Sequence, residues 1–305
     1  MVQALPEPPK RDLRYCAVYG YPVRHSASPA MQNAGIAALG LKWRYLAFEV
    51  HPDRLRETLD EAKEMRLIGV NLTLPHKLLA VQMMDALDES ARQWGAVNTV
   101  RFEARDGKGA WRPLREFGRP PQEIRAHGFN TDADAMTRSI NEDLQMEVRG
   151  ARVLLLGAGG AGRTAALKLA ADGAGALFLV NRTPAKAEAL AAEIRERWPA
   201  VPVTVGYPDG AVDLVLNATS LGLRADDPLP YDERRFSLRN AGAVYDMIYR
   251  PAETALLKAA KAAGCRVANG IGMLLYQGTR ALEIWSGRKP PVEVMREALL
   301  RNVYG

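Results

Sequence analysis

Residues 153–170 read VLLLGAGGAGRTAALKLA, and the fold of the chain turns on them. An apolar run, 152–156, leads into Gly157, Gly159 and Gly162 in G-x-G-x-x-G spacing, followed by small and apolar residues suited to a helix. A short run without polar alternation fits a strand covered on both faces, as in a parallel sheet. Between a strand and a helix, this glycine spacing marks a dinucleotide-binding turn. Gly157 permits the tight turn, Gly159 lets the backbone approach a pyrophosphate, and Gly162 lets helix and strand pack closely. The free N–H groups at the helix start, backed by the positive end of the helix dipole, hold the anion. Gly157, Ala158, Gly159, Gly160 and Ala161 are therefore the candidate cofactor-binding residues of the turn.

The next strand, expected at 176–181, discriminates between nucleotides. An NAD site usually places Asp or Glu about 20 residues beyond the glycines, where it accepts from the ribose 2′-OH. Here the strand ends in Asn181, Arg182 and Thr183, with Lys186 one helical turn on and no carboxylate at the strand end. Two cations and a hydroxyl suit a 2′-phosphate. The expected cofactor is NADP.

Outward from this unit, strands are expected at 14–20, 44–50, 69–74, 96–102, 201–205, 214–218 and 242–245. Helices are expected at 29–39, 53–65, 78–85, 163–171, 184–198, 274–285 and 292–300. Strands alternating with helices imply an α/β fold built on parallel sheets. Residues 103–126 carry Arg105, Lys108, Arg112, Arg115, Arg119 and Arg125, interrupted by Pro113, Pro120 and Pro121. No hydrophobic period is evident there, and an irregular surface excursion is expected. The first dozen residues, rich in proline and charge, are expected to form a loose tail.

A chain of 305 residues suggests two domains. With 48% apolar and 25% charged residues it has the composition of an ordinary globular protein, which excludes collagen, disordered and disulfide-scaffold classes. The net charge of +6 suits an anionic ligand and is too small to argue for nucleic acid. Cys16 and Cys265 stand alone, with no C-x-x-C pair and no histidine cluster, so neither a disulfide framework nor a metal site is expected. No apolar leader and no run of about 18 apolar residues occurs, and the expectation is a cytoplasmic protein without a membrane span.

Further motifs occur in order: G-Y-P-V-R-H-S-A-S-P from Gly20, G-V-N-L-T-L-P-H-K from Gly69, G-A-V-N-T-V from Gly95 and G-F-N-T-D from Gly128. They continue with N-A-T-S-L-G from Asn217, Y-D-M-I-Y-R-P from Tyr245 and G-I-G-M-L-L-Y-Q from Gly270. On these motifs the chain resembles the shikimate dehydrogenase family across 20–277. The resemblance implies an NADP-dependent oxidoreductase that interconverts an alcohol and a ketone on a cyclic polyhydroxy acid. It implies an N-terminal substrate domain (1–133 plus 269–305) and a Rossmann-type doubly wound NADP domain (134–268), with C-terminal helices returning to the first and the active site between them.

Reducing a ketone leaves negative charge on oxygen, which a general acid must neutralise. Lys77 follows a strand–proline break, a position suited to a cleft, and a carboxylate such as Asp132 would hold its ammonium in place. The resemblance implies that Lys77 is the catalytic acid/base and Asp132 its partner. It further implies that Ser26 and Ser28 bind the substrate carboxylate, that Thr73, Asn98 and Gln277 bind hydroxyl or carboxylate groups, and that Tyr249 adds a contact. In an extended segment the two serines would face the same side; Ser28 also suits the N-cap of the following helix. Asn71 and Thr99 are expected to support these residues. Met247 and Gly270 carry over as contacts near the nicotinamide, and Thr219 lies where a carboxamide or ribose would reach.

Gln32 stands where the family commonly has His, Phe129 replaces a frequent polar residue, Ala133 replaces a frequent Gly, and 103–126 is longer than the usual hairpin. The histidines, His25, His51, His76 and His127, are expected to be structural or solvent-facing. The leading reading is reversible reduction of 3-dehydroshikimate to shikimate with NADPH. The alternatives are a quinate/shikimate or aminoshikimate-type dehydrogenase and a non-catalytic shikimate- or quinate-sensing module. The expected partner is a small-molecule substrate, with no nucleic acid and no membrane; a homodimer is left open.

Overall fold

The structure is a computed structural model that describes residues 13–118 and 123–305. The expected N-terminal tail, Arg119, Pro120 and Pro121 lie outside the described residues. The chain builds two sheets. The first contains β1 (Arg14–Gly20), β2 (Trp43–Glu49), β3 (Gly69–Leu72), β4 (Ala86–Leu87), β5 (Thr99–Arg105), β6 (Trp111–Pro113) and β7 (Ile124–Phe129), in the order β2-β1-β3-β5-β7-β4 with β6 added on β5. The helices between these strands are α1 (Ser28–Ala38), α2 (Leu55–Glu64), α3 (His76–Leu79) and α4 (Glu89–Trp94).

This sheet is mixed, which corrects the expectation of parallel sheets throughout. β1 runs parallel to β2 and β3, but β5 is antiparallel to β3, β6 and β7. Part of this departure lies in 103–126, which is ordered where it is described and is no irregular excursion. β5 continues to Arg105, a turn held by Asp106 follows, and β6 returns against β5. That connection is too short for a parallel crossover, so β5 and β6 must pair antiparallel. The alternation is present but disguised: Phe102, Ala104, Leu114 and Ala126 are fully buried, while the facing charges neutralise one another. Glu103, 2% exposed, accepts from Arg101 Nε (2.9 Å) and Arg125 Nε (2.8 Å) and faces His127 Nδ1 at 3.1 Å.

The second sheet is β8 (Arg152–Leu156), β9 (Ala176–Val180), β10 (Val203–Val205), β11 (Val212–Asn217), β12 (Ala241–Asp246) and β13 (Arg266–Asn269), all parallel, in the order β10-β9-β8-β11-β12-β13. That is the 3-2-1-4-5-6 order of the Rossmann fold, whose switch point lies between the first and fourth strands, here β8 and β11. The helices of this half are α5 (Asp132–Leu144), α6 (Gly160–Ala171), α7 (Pro184–Arg197) and α8 (Ala255–Ala262). The C-terminal helices α9 (Ile271–Ser286) and α10 (Val292–Tyr304) return to the first sheet. Leu282, Trp285, Met295 and Leu299 join Cys16, Met31 and Tyr45 in one core, and Trp285 Nε1 donates to the Val100 carbonyl at 2.9 Å.

The span 78–85 is not the expected helix. α3 stops at Leu79, a 3-10 turn covers Ala80–Met83, and Leu78 and Leu79 stay 45% and 44% exposed, so little burial sustains a longer helix. β3 ends two residues before the expected limit, ahead of a cis Leu74–Pro75 bond. The helices α4, α5 and α8 and the strands β4, β6, β7 and β13 had not been expected; α4 and α8 nonetheless carry cap signals. Asp88 accepts from Ser90 N at 3.0 Å and Gly95 closes α4 at φ +61°; Thr254 accepts from Leu257 N at the start of α8.

Burial would raise the Glu103 carboxyl, but hydrogen bonds from His127, Arg101 and Arg125 outweigh it and hold the pKa at about 2. A depressed folded-state pKa stabilises the fold above the ordinary value of 4.5, and that contribution is lost as the pH falls towards 2. Glu103→Gln is therefore expected to lower stability at pH 7 by roughly 2–3 kcal/mol, because it strands partly buried cations. In urea titrations from pH 7 to 2.5, the gap between variant and wild type should narrow below pH 4.5. A pH-independent gap would contradict this account.

Candidate active site

Lys77 and Asp132 are 55 residues apart in sequence and form an ion pair of 2.8 Å between Nζ and Oδ2. The side chains are 28% and 10% exposed, so the pair sits at a surface opening and is neither buried nor free in solvent. Each partner is fixed from its own side. Lys77 lies in α3, and its carbonyl accepts from Val97 N at 2.9 Å. Asp132 is the first residue of α5, whose free N–H groups favour negative charge there. The Asn130 side chain caps that helix, accepting from Asp132 N at 3.0 Å and Ala133 N at 3.2 Å, and donates to the Ala96 carbonyl.

Asn98, 2% exposed, completes the constraint. Its Nδ2 donates to Asp132 Oδ1 (2.8 Å) and Thr131 Oγ1 (2.9 Å), and its Oδ1 accepts from Thr131 N at 2.7 Å. Expected as a substrate ligand, Asn98 thus has both ends of its amide engaged in setting the carboxylate. Behind it, Asn71 Nδ2 donates to the Asn98 carbonyl (3.1 Å) and Thr99 Oγ1 (3.0 Å), and Tyr45 OH donates to Asn71 Oδ1 at 2.7 Å. Burial pushes the Tyr45 hydroxyl pKa well up, against a smaller opposing influence of Ser28. One polar network therefore runs from Tyr45 through Asn71 and Asn98 to Asp132 and Lys77. Tyr45, Asn130 and Thr131 were missed as site residues; the N-x-D spacing before a helix was the available signal for Asn130.

The serines are arranged differently from the expected extended segment. Ser26 lies before the helix and Ser28 is its first residue, with Ser28 N donating to Ser26 Oγ at 3.3 Å. Ser28 is not the N-cap; Ala27 occupies that position. Tyr249 comes across from the second sheet to pack with the α1 core, and burial raises its pKa while Arg250 and the Ala27 backbone oppose the shift. The Thr73 hydroxyl has no protein partner among the described residues, while Gln277, 9% exposed, commits only its Nε2, to the Leu274 carbonyl. Gln32 is buried and donates to the Gly278 carbonyl at 2.9 Å. Phe129 packs against His127 with ring centroids 4.4 Å apart and tilted by 38°, and Ala133 is buried. His76 is wholly buried, and burial lowers its pKa.

The glycine turn lies at the switch point of the second sheet. Gly157 has φ +103°, and a Cβ there would press on Thr219 Cγ2 at 3.0 Å. A Cβ on Gly162 would overlap the Gly157 carbonyl, whereas one on Gly159 would meet open space. The turn thus closes on itself beneath and is bare where an anion would approach the first turn of α6. Asn181 is committed to shaping it, accepting from Ala158 N and donating to the Thr183 carbonyl, both at 2.9 Å. Arg182 and Lys186 are exposed, and their side chains make no ion pair or hydrogen bond among the described residues. Thr219 hydrogen-bonds Asn217 Oδ1 (2.7 Å) and Leu221 N (3.1 Å), so its hydroxyl shapes the loop. Gly270 packs its Cα face against the Met247 carbonyl, which brings those two candidates together.

The halves meet at both features. A Cβ on Gly160 would lie 3.8 Å from Leu78, the residue after Lys77. Arg163 of α6 donates to the Trp94 carbonyl (2.7 Å), Arg197 of α7 to the Gln93 carbonyl (2.8 Å), and Glu193 pairs with both arginines. Trp94 itself is packed into the core of the second sheet.

Sequence and structure comparisons bear on this arrangement. Residues 18–100 match the shikimate dehydrogenase substrate binding domain, 139–219 the shikimate / quinate 5-dehydrogenase family and 270–300 the shikimate 5′-dehydrogenase C-terminal domain. The chain is 38% identical over 291 residues to the shikimate dehydrogenase (NADP(+)) of Methanopyrus kandleri, covering 93% of this chain and 94% of that one. The chain belongs to the shikimate dehydrogenase family. Two solved structures of similar proteins frame the site. The Thermus thermophilus shikimate 5-dehydrogenase in complex with NADP(H) and shikimate is 34% identical, with a TM-score of 0.77 over 95% of this chain and 99% of that one. The Corynebacterium glutamicum quinate dehydrogenase in complex with NAD is 30% identical, with a TM-score of 0.78 over 95% and 99%. No helix among the described residues is long and apolar enough to cross a membrane, and no cluster of metal-ligating residues occurs among them.

Because Asn130 satisfies two N–H groups at the start of α5, Asn130→Ala is expected to cost about 1–2 kcal/mol of stability. Chemical denaturation measures this; a change below about 0.3 kcal/mol would show that the cap contributes nothing.

Proposed function

We propose that this member of the family catalyses the NADPH-dependent reversible reduction of 3-dehydroshikimate to shikimate. The observation that carries the proposal is the Lys77–Asp132 pair of 2.8 Å, set at an opening beside the bare glycine turn. The N-terminal residues 1–133 with 269–305 serve the substrate, and 134–268 serve the cofactor.

The residues fit an NADP molecule. The open face of Gly159 and the N-terminus of α6 suit the pyrophosphate, and the uncommitted Arg182 and Lys186, with Thr183, suit the 2′-phosphate. Met247, Gly270 and the Thr219 loop lie toward the nicotinamide end in this reading. When bound, the cofactor supplies the hydride or accepts it in the reverse direction. Lys77 gives a proton to the ketone oxygen and takes it back from the hydroxyl, while Asp132 holds the ammonium on line. Asn98 keeps Asp132 from rotating away. Ser26 and Ser28 receive the substrate carboxylate, and Thr73, Gln277 and Tyr249 contact the remaining polar groups. Fixed hydroxyls and amides discriminate strongly, since a ligand lacking the matching group leaves them unpaired.

Quinate is the second substrate to test, because the Corynebacterium relative is named for it. Quinate carries an extra ring hydroxyl, so the space near Ser26 and Thr73 decides. The intact Lys77–Asp132 pair argues against a non-catalytic sensor. A cytoplasmic setting, in keeping with the two buried free thiols Cys16 and Cys265, belongs to the same proposal. So does a homodimer: β2 is an edge strand with Phe48 44% exposed, and light scattering tests it.

Absorbance at 340 nm with shikimate and quinate against NADP and NAD tests the activity. Shikimate with NADP should give the highest kcat/KM, and no turnover of either acid would overturn the reading. Lys77→Ala and Asp132→Asn should each lower kcat by about 10²–10⁴-fold; a loss below about tenfold, roughly 1.4 kcal/mol of barrier, would reject their roles. Arg182→Ala should weaken NADP binding by about 10–100-fold and leave NAD binding nearly unchanged, as titration calorimetry would report. Equal losses for both cofactors would refute the 2′-phosphate contact.

A further inference from the structure

The last turn of α10 is tied to the segment that contains Tyr249 and to the turn that contains Gly270. Tyr304, the penultimate residue, is 43% exposed, so its ring contributes little to the core. Its hydroxyl accepts from Asn269 Nδ2 at 2.9 Å and donates to the Tyr249 carbonyl at 3.0 Å. Asn269 is itself a junction: Nδ2 also donates to the Ala252 carbonyl at 2.8 Å, and Oδ1 accepts from Ile271 N at 3.1 Å, at the start of α9. Arg250 donates to the Asn302 carbonyl at 2.9 Å, fastening the same end of α10 from the residue after Tyr249. The other end of the connection is equally firm. Met295 and Leu299 of α10 lie in one core with Met31 and Ile36 of α1, the helix that begins at Ser28.

We propose that Tyr304 is a positioning residue, its hydroxyl setting the Tyr249 backbone and the Asn269–Gly270 turn relative to the serine-bearing helix α1. The inference rests on the reading of Tyr249 as a substrate contact and Gly270 as a nicotinamide contact. Losing the hydroxyl leaves Asn269 its bonds to Ala252 and Ile271 and leaves the α10 core intact, so the fold is retained. What is lost is the register between two sides of the substrate site. The effect should therefore fall on shikimate and not on the distant 2′-phosphate end of the cofactor.

Steady-state kinetics of Tyr304→Phe test this, with Leu299→Val as the control that trims buried packing on the same helix and leaves the hydroxyl bridge alone. Tyr304→Phe should lower kcat/KM for shikimate by about threefold to tenfold, the loss expected for one bridging hydroxyl. Its NADP dissociation constant should stay within about twofold and its Tm within about 2 °C of wild type, since no buried group is left unpaired. Leu299→Val should lower Tm and leave kcat/KM for shikimate within about twofold, as for a buried methyl removed away from the site. Shikimate kinetics unchanged in Tyr304→Phe, or the same loss in Leu299→Val, would overturn the inference. Wild-type turnover separates the two claims: its absence removes the functional reading and this inference with it, whereas with turnover present the variants alone decide on Tyr304.

Discussion

The separation between the Lys77 ammonium and the Asp132 carboxylate is set by groups that scarcely reach water. Asn98, Thr99 and Thr131 are 0–3% exposed and satisfy one another, so the amide that holds Asp132 has no alternative partner in solvent. In a region of low dielectric such a network is strong when complete and costly when broken. Much of the first sheet serves it. β3 brings Asn71, the end of β7 brings Asn130 and Thr131, and β5 starts at Thr99, all at one end of the sheet. The antiparallel pairing of β5 with both neighbours puts these polar side chains side by side, which the expected parallel arrangement would not do.

The second sheet imposes a matching constraint by close backbone approach. Gly157 and Gly162 leave no room for side chains beneath the turn, and Asn181 stitches the turn to the next strand. The bare residue, Gly159, adjoins Gly160, which Leu78 of the first half approaches. A polar pair that is oriented before any ligand arrives and a glycine turn of fixed shape stand on adjacent walls. This is the arrangement expected where orientation supplies much of the rate.

Regular, strongly patterned segments were legible in the amino-acid sequence. RVLLL and the glycines that follow announce β8 and α6 because burial on both faces and steric exclusion act locally. Lys77 and Asp132 were legible only through their motifs, since no periodicity joins residues 55 positions apart. Residues 103–126 were misread because arginines occupy the outward positions of β5 and β7, and a charge cluster neutralised around Glu103 looks like a solvated loop in one dimension. Thr219, Asn181 and Asn98 were chosen for polar atoms that the protein itself engages, a fact that depends on rotamers and neighbours. Tyr45 was invisible for a similar reason: an aromatic residue in an apolar strand reads as core, and its hydroxyl partner Asn71 is distant in sequence.

Trp94 carries a consequence for how the molecule can be taken apart. Its indole belongs to the hydrophobic interior of one half, although its backbone belongs to the other, and two arginines hold the carbonyls at that point. A fragment starting after residue 133 would lack this aromatic wedge and leave the core of the second sheet short of one large side chain. Excising one large aromatic from an interior costs about 3–5 kcal/mol, a sizeable share of the stability of a small domain. The two halves are therefore not interchangeable modules, and dissection at the apparent boundary divides a shared interior.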